Sequence, residues 1–149
     1  MKESGRADEK PRAVIDTSVF VAAMFWQGCA RECLVRFARR QFQMFVTELV
    51  LKEYAETAWE LKSEENLLQN PQPWLNWISN RATILAPVTL SEAVSADPDD
   101  DKFIECALAA RADYIVSRDR HLLDLEIPFG ITIVDDRVFL NRLGHKKSR

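Results

Sequence analysis

A chain of 149 residues, 47% hydrophobic and 29% charged, has the size and make-up of one soluble globular domain, able to bury roughly 70% of the surface its unfolded form exposes. That composition excludes a disordered chain, a collagen-like repeat and a disulfide-stapled scaffold. The net charge of −3 gives no overall cationic surface for nucleic acid, so any such surface has to be local.

Residues 1–10 carry charge and little apolar surface and are expected to form a tail, with one domain over 11–143 and a short basic tail over 144–149. Arg12 to Asp16 reads as a strand ending in an acid, followed by an apolar helix through Met24, with Thr17 or Ser18 as its cap and Gly28 as its end. Helical spacing over Ala30–Arg40, a strand over Phe42–Val46 and a helix from Thr47 to about Leu61 continue the alternation. Asn70-Pro-Gln-Pro73 interrupts the chain before a short helix over Trp74–Ile78 and a strand over Ala82–Leu85. After a second break at Asp97-Pro98, a helix is expected over Asp99–Ala112 and a buried strand over Tyr114–Ser117. A short helix over His121–Asp124, a strand over Ile131–Val134 and a helix over Asp136–Leu143 complete the chain. Apolar strands alternating with amphipathic helices favour an α/β fold with a mainly parallel sheet covered on both faces, and such sheets gather ligands at the carboxyl ends of their strands.

The longest apolar run, Val19 to Trp26, is far short of the roughly 20 residues a membrane span needs. The polar start does not resemble a secretory signal, and three cysteines, Cys29, Cys33 and Cys106, cannot all pair within the chain. A reducing cytoplasm is the expected location. Cys29 and Cys33 share a helix face but lack the second ligand pair of a metal site and read as small buried side chains.

The acids have a more informative arrangement. Asp16 closes the first strand, Glu53 lies early in the helix after the second, Asp101 opens the helix feeding the fourth, and Asp119 follows that strand by two residues. In a parallel sheet these positions can converge at one edge. Two carboxylates about 5 Å apart repel by roughly 3 kcal/mol at an effective dielectric near 20, so a shared pocket calls for a cation. Oxygen-only ligands suit Mg²⁺ or Mn²⁺, which keep waters that can attack a phosphodiester and leave a 5′-phosphate. Taken singly, each acid also fits a structural role: Asp16, Asp97, Asp99 and Asp100 as helix caps, Glu53 as an exposed helical glutamate and Asp119 as a turn former.

Four segments in order, Val14-Ile-Asp-Thr-Ser-Val19, Val50-Leu-Lys-Glu-Tyr54, Asp97-Pro-Asp-Asp-Asp-Lys-Phe-Ile-Glu-Cys-Ala107 and Ala112-Asp-Tyr-Ile-Val-Ser-Arg-Asp119, resemble the motifs of PIN-domain nucleases. The resemblance covers about Ala13 to Leu140 and is nearest to the bacterial branch of toxin components of toxin–antitoxin pairs. It implies a three-layer α/β/α sandwich with a mainly parallel sheet of about five strands, Mg²⁺ or Mn²⁺ as cofactor, and endoribonuclease activity. Asp16, Glu53, Asp101 and Asp119 take the places of the family's catalytic and metal-binding acids, with Asp97 and Asp100 beside them. Ser18 stands where Asn is common and is expected to orient Asp16 or a metal-bound water, and Ser117 stands just before the fourth acid, where a hydroxyl can hydrogen-bond a neighbouring carboxylate. The sequence departs from the pattern at His121, where many relatives carry a further acid; Asp124 lies a helical turn later, and Glu56 is the reserve for Glu53.

RNA is the expected partner, with Arg36, Arg39, Arg40, Arg118 and His121 as candidate phosphate contacts. The resemblance further implies a homodimer, and a cognate antitoxin as a possible protein partner; no membrane partner is expected. Phe20, Phe25, Trp26 and Phe37 read as core or interface residues rather than base-stacking platforms. Two other functions compete: a catalytically silent PIN fold that binds RNA or protein, and a DNA-directed nuclease, for whose clamping elements the chain has little room.

Overall fold

A computed structural model describes residues 10–89, 101–125 and 128–144. The expectations placed on Asp97, Asp99 and Asp100 and on most of both chain ends fall outside these residues. In chain order the elements are β1 (Arg12–Ile15), α1 (Thr17–Phe25), α2 (Cys29–Ala38), β2 (Gln43–Val46), α3 (Glu48–Glu65), α4 (Gln72–Arg81), β3 (Thr83–Ile84), α5 (Asp101–Ala110), β4 (Tyr114–Val116), α6 (Arg120–Leu123), β5 (Thr132–Val134) and α7 (Asp136–Leu143).

All five strands run parallel in the order β3-β2-β1-β4-β5. Successive residues of a strand face opposite sides of the sheet, and Ala13, Val14 and Ile15 of β1 are all completely buried. Helices therefore cover both faces, giving the α/β/α sandwich. The helix α5 packs across β1, β2 and β4, while α2 packs on α1 and α7. A helix that is apolar all round has to be enclosed, and α1 is buried at every residue except Ser18. Tyr54 of α3 stacks on Phe20 of α1 with ring centroids 4.2 Å apart, so α3 seals α1 from the other side. Among the described residues no helix is long and apolar enough to cross a membrane.

Several boundaries differ from the sequence expectation. Helix α1 is capped by Asp16 rather than by Thr17 or Ser18, because the Asp16 carboxylate reaches the amides of Ser18 and Val19. It ends at Phe25, and Gly28 does not terminate it but, at φ 143°, provides the turn into α2. The prolines near residue 72 do not hold the chain apart. Pro71 precedes the first turn of α4 and Pro73 sits within it, where a missing amide hydrogen costs nothing, so this helix runs ten residues. Thr47 caps α3 through the amide of Val50, and α3 continues to Glu65 with Asn66 in the left-handed conformation.

Candidate active site

Strand order decides where a site can form. From β1 the chain moves outward through β2 and β3, then returns to place β4 on the other side of β1, so the order reverses between β1 and β4. The loops leaving two such strands at their carboxyl ends part company and open a crevice. Ile15 is paired with Val116, which sets Asp16 and Ser117 side by side at the mouth of that crevice.

Asp16 is 3% exposed. Its Oδ1 accepts hydrogen bonds from the Ser18 amide at 2.8 Å, the Ser18 hydroxyl at 2.6 Å and the Val19 amide at 3.3 Å, and its Oδ2 accepts from the Ser117 hydroxyl at 2.5 Å. Burial raises the Asp16 carboxyl above its ordinary pKa, against the hydrogen bonds from Ser117, Ser18 and Val19, which lower it. Each serine also links the two strands: Ser117 Oγ accepts from the Asp119 amide at 2.8 Å, and Ser18 Oγ accepts from the Arg118 amide at 3.2 Å. Asp16 is thereby tied at both oxygens to the loop that carries Asp119. Half-buried Asp119 caps α6, with Oδ1 accepting from the His121 amide at 2.9 Å.

Asp101 opens α5 and is buried. The far end of that helix lies at the amino edge of the sheet, where Arg12 Nε donates to the Ala110 carbonyl at 2.8 Å, so its first turn lies at the carboxyl edge with Asp16. Glu53, on α3, reaches the same edge. Its Oε2 accepts from Thr17 Oγ1 at 2.5 Å and its Oε1 is ion-paired with the Lys102 ammonium. Next to it on α3, the buried Tyr54 hydroxyl donates to the Ile15 carbonyl at 2.5 Å, directly before Asp16. Thr17, Tyr54 and Lys102 belong to this site, although the sequence marks Thr17 only as a helix cap and singles out neither Tyr54 nor Lys102. Lys102 follows Asp101 directly, but nothing in the sequence links it to Glu53, 49 positions away.

The expected convergence of four carboxylates needs correction. Among the described residues no group of three or more His, Cys, Asp or Glu side chains is placed to hold a metal ion. Glu53 is turned to Thr17 and Lys102, and Asp119 to the start of α6, so the acids share an edge without closing a cage. The donor chemistry still fits a hard divalent ion. Asp16 is a desolvated carboxylate, and Mg²⁺ ordinarily takes only one or two carboxylates together with waters and substrate phosphate. Asp16, Asp101 and Asp119 are the residues that would hold it, with Glu53 joining only by exchanging Lys102.

The other candidates divide. Arg36 is buried, with Nε on Glu32 at 3.1 Å and Nη1 on Gln41 and on the Gly144 carbonyl at 2.9 Å. Its guanidinium ties α2 to the end of α7 and does not face a ligand, which removes it from the phosphate contacts. Arg39 and Arg40 lie beyond the end of α2 and before β2, at the amino edge of the sheet and away from the acids. Arg118 is at the right edge, held by Asp136 through Nε at 3.2 Å and Nη2 at 2.7 Å. His121 is exposed. Glu56 points to solvent and lies 3.9 Å from Lys52, and Asp124 is 4.0 Å from Arg120, so neither joins the site. Phe20, Phe25 and Phe37 are core residues, whereas Trp26 is half exposed.

Residues 12–121 match the PIN domain. The crystal structure of PAE2754 from Pyrobaculum aerophilum is similar to this one, with a TM-score of 0.62 over 98% of this chain and 99% of that chain, at 16% sequence identity. That likeness concerns the fold. No curated protein matches the sequence.

Proposed function

The chain belongs to the PIN-domain family, whose members are generally nucleases, and from that premise we propose that it is an Mg²⁺- or Mn²⁺-dependent endoribonuclease working at the carboxyl edge between β1 and β4. The observation that carries this reading is Asp16: a carboxylate buried at the point of strand reversal and held at both oxygens by Ser18 and Ser117. A carboxylate that only capped α1 would need neither the second serine nor the coupling to Asp119.

When bound, the divalent ion supplies a more acidic water and neutralises charge developing on the phosphate oxygens. The chain's own residues do the positioning. Ser18 and Ser117 fix the Asp16 oxygens in one rotamer, and the Ser117 hydroxyl transmits the position of Asp16 to the Asp119 amide. Lys102 and Arg118 bring cationic side chains to the same edge, Lys102 ion-paired with Glu53 and Arg118 with Asp136. Glu53 and Tyr54, consecutive on α3, hold Thr17 and Ile15 on either side of Asp16. The products of such hydrolysis carry a 5′-phosphate.

The test is cleavage of a single-stranded RNA and of the matching DNA by purified protein with Mn²⁺, alongside an Asp101→Asn variant. RNA cleavage that is lost in the variant and in excess chelator supports the proposal; equal cleavage by both proteins overturns it, and preference for DNA makes the chain a DNA-directed nuclease. A catalytically silent RNA-binding fold is favoured by one feature, the pairing of Glu53 with Lys102, which already balances one acid without a metal. Calorimetry that detects no Mn²⁺ uptake decides for that second reading. The toxin role extends the nuclease proposal to a cytoplasmic homodimer blocked by an antitoxin; co-expression with the product of the adjacent reading frame should relieve any growth arrest.

A further inference from the structure

The opposite edge of the sheet carries a different feature. Because all five strands are parallel, their amino ends lie together, and there the end of α2, the start of β2 and the end of α4 enclose a cleft of 170 Å³. That volume equals about six waters, ample for a phosphate group. Lys10, Arg40 and Arg81 line it, with Gln43 and Thr83 as polar neighbours and an apolar floor. Among the described residues no carboxylate lines the cleft. All three cationic side chains are exposed, and among the described residues none of them forms an ion pair. In a chain with 23 acidic and 20 basic residues, a cleft whose charged lining among the described residues is three cations inverts the overall charge locally.

The backbone at Arg40 adds an independent observation. The amide of Arg40 bonds the Phe37 carbonyl at 2.8 Å and that of Gln41 bonds the Arg36 carbonyl at 3.0 Å, the paired closure of a helix end whose central residue is left-handed. Glycine is the usual occupant of that position, yet Arg40 holds it at φ 65°. Arg40 occupies a position that a residue without a side chain fits better, as Arg111 does at the end of α5, and Arg40 borders the cleft. A cation at a helix C-terminus gains something from the helix dipole, but the dipole of α2 does not account for Lys10, which precedes β1.

We propose that this cleft binds phosphate groups of an RNA strand, as a second contact surface remote from the acidic edge. The inference rests on the proposed RNA substrate and adds where the chain holds it away from the reacting bond. Strand β1 separates the two edges by about 13 Å, the rise of about four stacked nucleotides. Short substrates would reach only the acids; longer ones would reach both surfaces.

The experiment measures binding of a labelled single-stranded RNA of about 20 nucleotides in chelator, as a function of salt, for the unaltered protein, Arg40→Gly and Arg81→Ala, with inorganic phosphate as competitor. Binding without metal separates this test from that of cleavage. Each substitution should lower affinity several-fold and reduce the salt slope by about one counterion. The Arg40→Gly protein should keep or raise its melting temperature, because glycine relieves the left-handed backbone. Cleavage of a dinucleotide with Mn²⁺ should be unchanged in both variants. RNA affinity and salt slope that stay the same in both variants overturn the proposal. Binding of inorganic phosphate that is lost in both variants, with no loss of RNA affinity in either, reassigns the cleft to a free phosphate ligand and likewise overturns the RNA assignment.

Discussion

At the scale of single residues, Asp16 combines two demands that pull against each other. As the cap of α1 it needs an accepting oxygen, which an amide supplies as well as a carboxylate; as a ligand for a cation it needs its charge, and that charge is desolvated. Removing a desolvated charge can stabilise a protein even where hydrogen bonds hold it, and active-site charges are a recurrent source of such trade-offs. Asp16→Asn should therefore raise metal-free stability by about 1 kcal/mol in denaturant unfolding while abolishing RNA cleavage. A fall in stability together with retained cleavage would mean that Asp16 serves the helix and not the chemistry. The residue types at this site were legible in the sequence because the motif places a hydroxyl two positions after the first acid and two before the fourth. That Ser18 orients Asp16 was legible too, but that Ser117 bonds Asp16 was not, since that contact spans 101 positions. Arg36 shows the converse: its i, i+4 partner Glu32 is visible in the sequence, but the Gly144 carbonyl that completes its burial is not.

At the scale of elements, α3 acts as the clamp on the carboxyl end of β1. Tyr54 and Glu53 reach two successive turns of the chain around Asp16, one through the Ile15 carbonyl and the other through Thr17. Tyr54→Phe keeps the ring stacked on Phe20 and removes only the hydroxyl donor, so the cost should be about 1 kcal/mol, the net worth of one buried hydrogen bond. Cleavage should fall further than that loss of stability explains, because the released carbonyl precedes Asp16; kcat unchanged beside a lowered melting temperature would confine Tyr54 to the fold. The alternation of strands and helices was readable from periodicity, and α7 was read at its observed bounds. Boundaries set by backbone geometry were not: Gly28 opens α2 instead of ending α1, and Pro71 and Pro73 start α4 instead of delaying it. Glycine and proline mark a change of direction in either case, and only packing decides on which side the helix lies.

At the scale of the whole molecule, a parallel sheet sorts its loops into two edges, and this chain places four acids beside Lys102 and Arg118 at one and a group of arginines beside Asp113 at the other. Asp16, Glu53, Asp101 and Asp119 occupy the carboxyl edge, while Arg39, Arg40, Arg81 and Arg111 lie at the amino edge. The acidic edge has the larger consequence for stability, because it carries a desolvated carboxylate that a divalent ion can compensate. An ion that binds the folded chain alone stabilises it by about 2.7 kcal/mol at a concentration 100 times its Kd. For a domain of this length that corresponds to a rise of roughly 5–10 °C in Tm. Mn²⁺ should produce such a rise in differential scanning fluorimetry, and Asp16→Asn should remove most of it. Because Lys102 already balances Glu53, Glu53→Gln should reduce the rise only in part. A Tm unaffected by Mn²⁺ would show that Lys102 and the serines suffice to hold this edge, and that the acids have no metal to share.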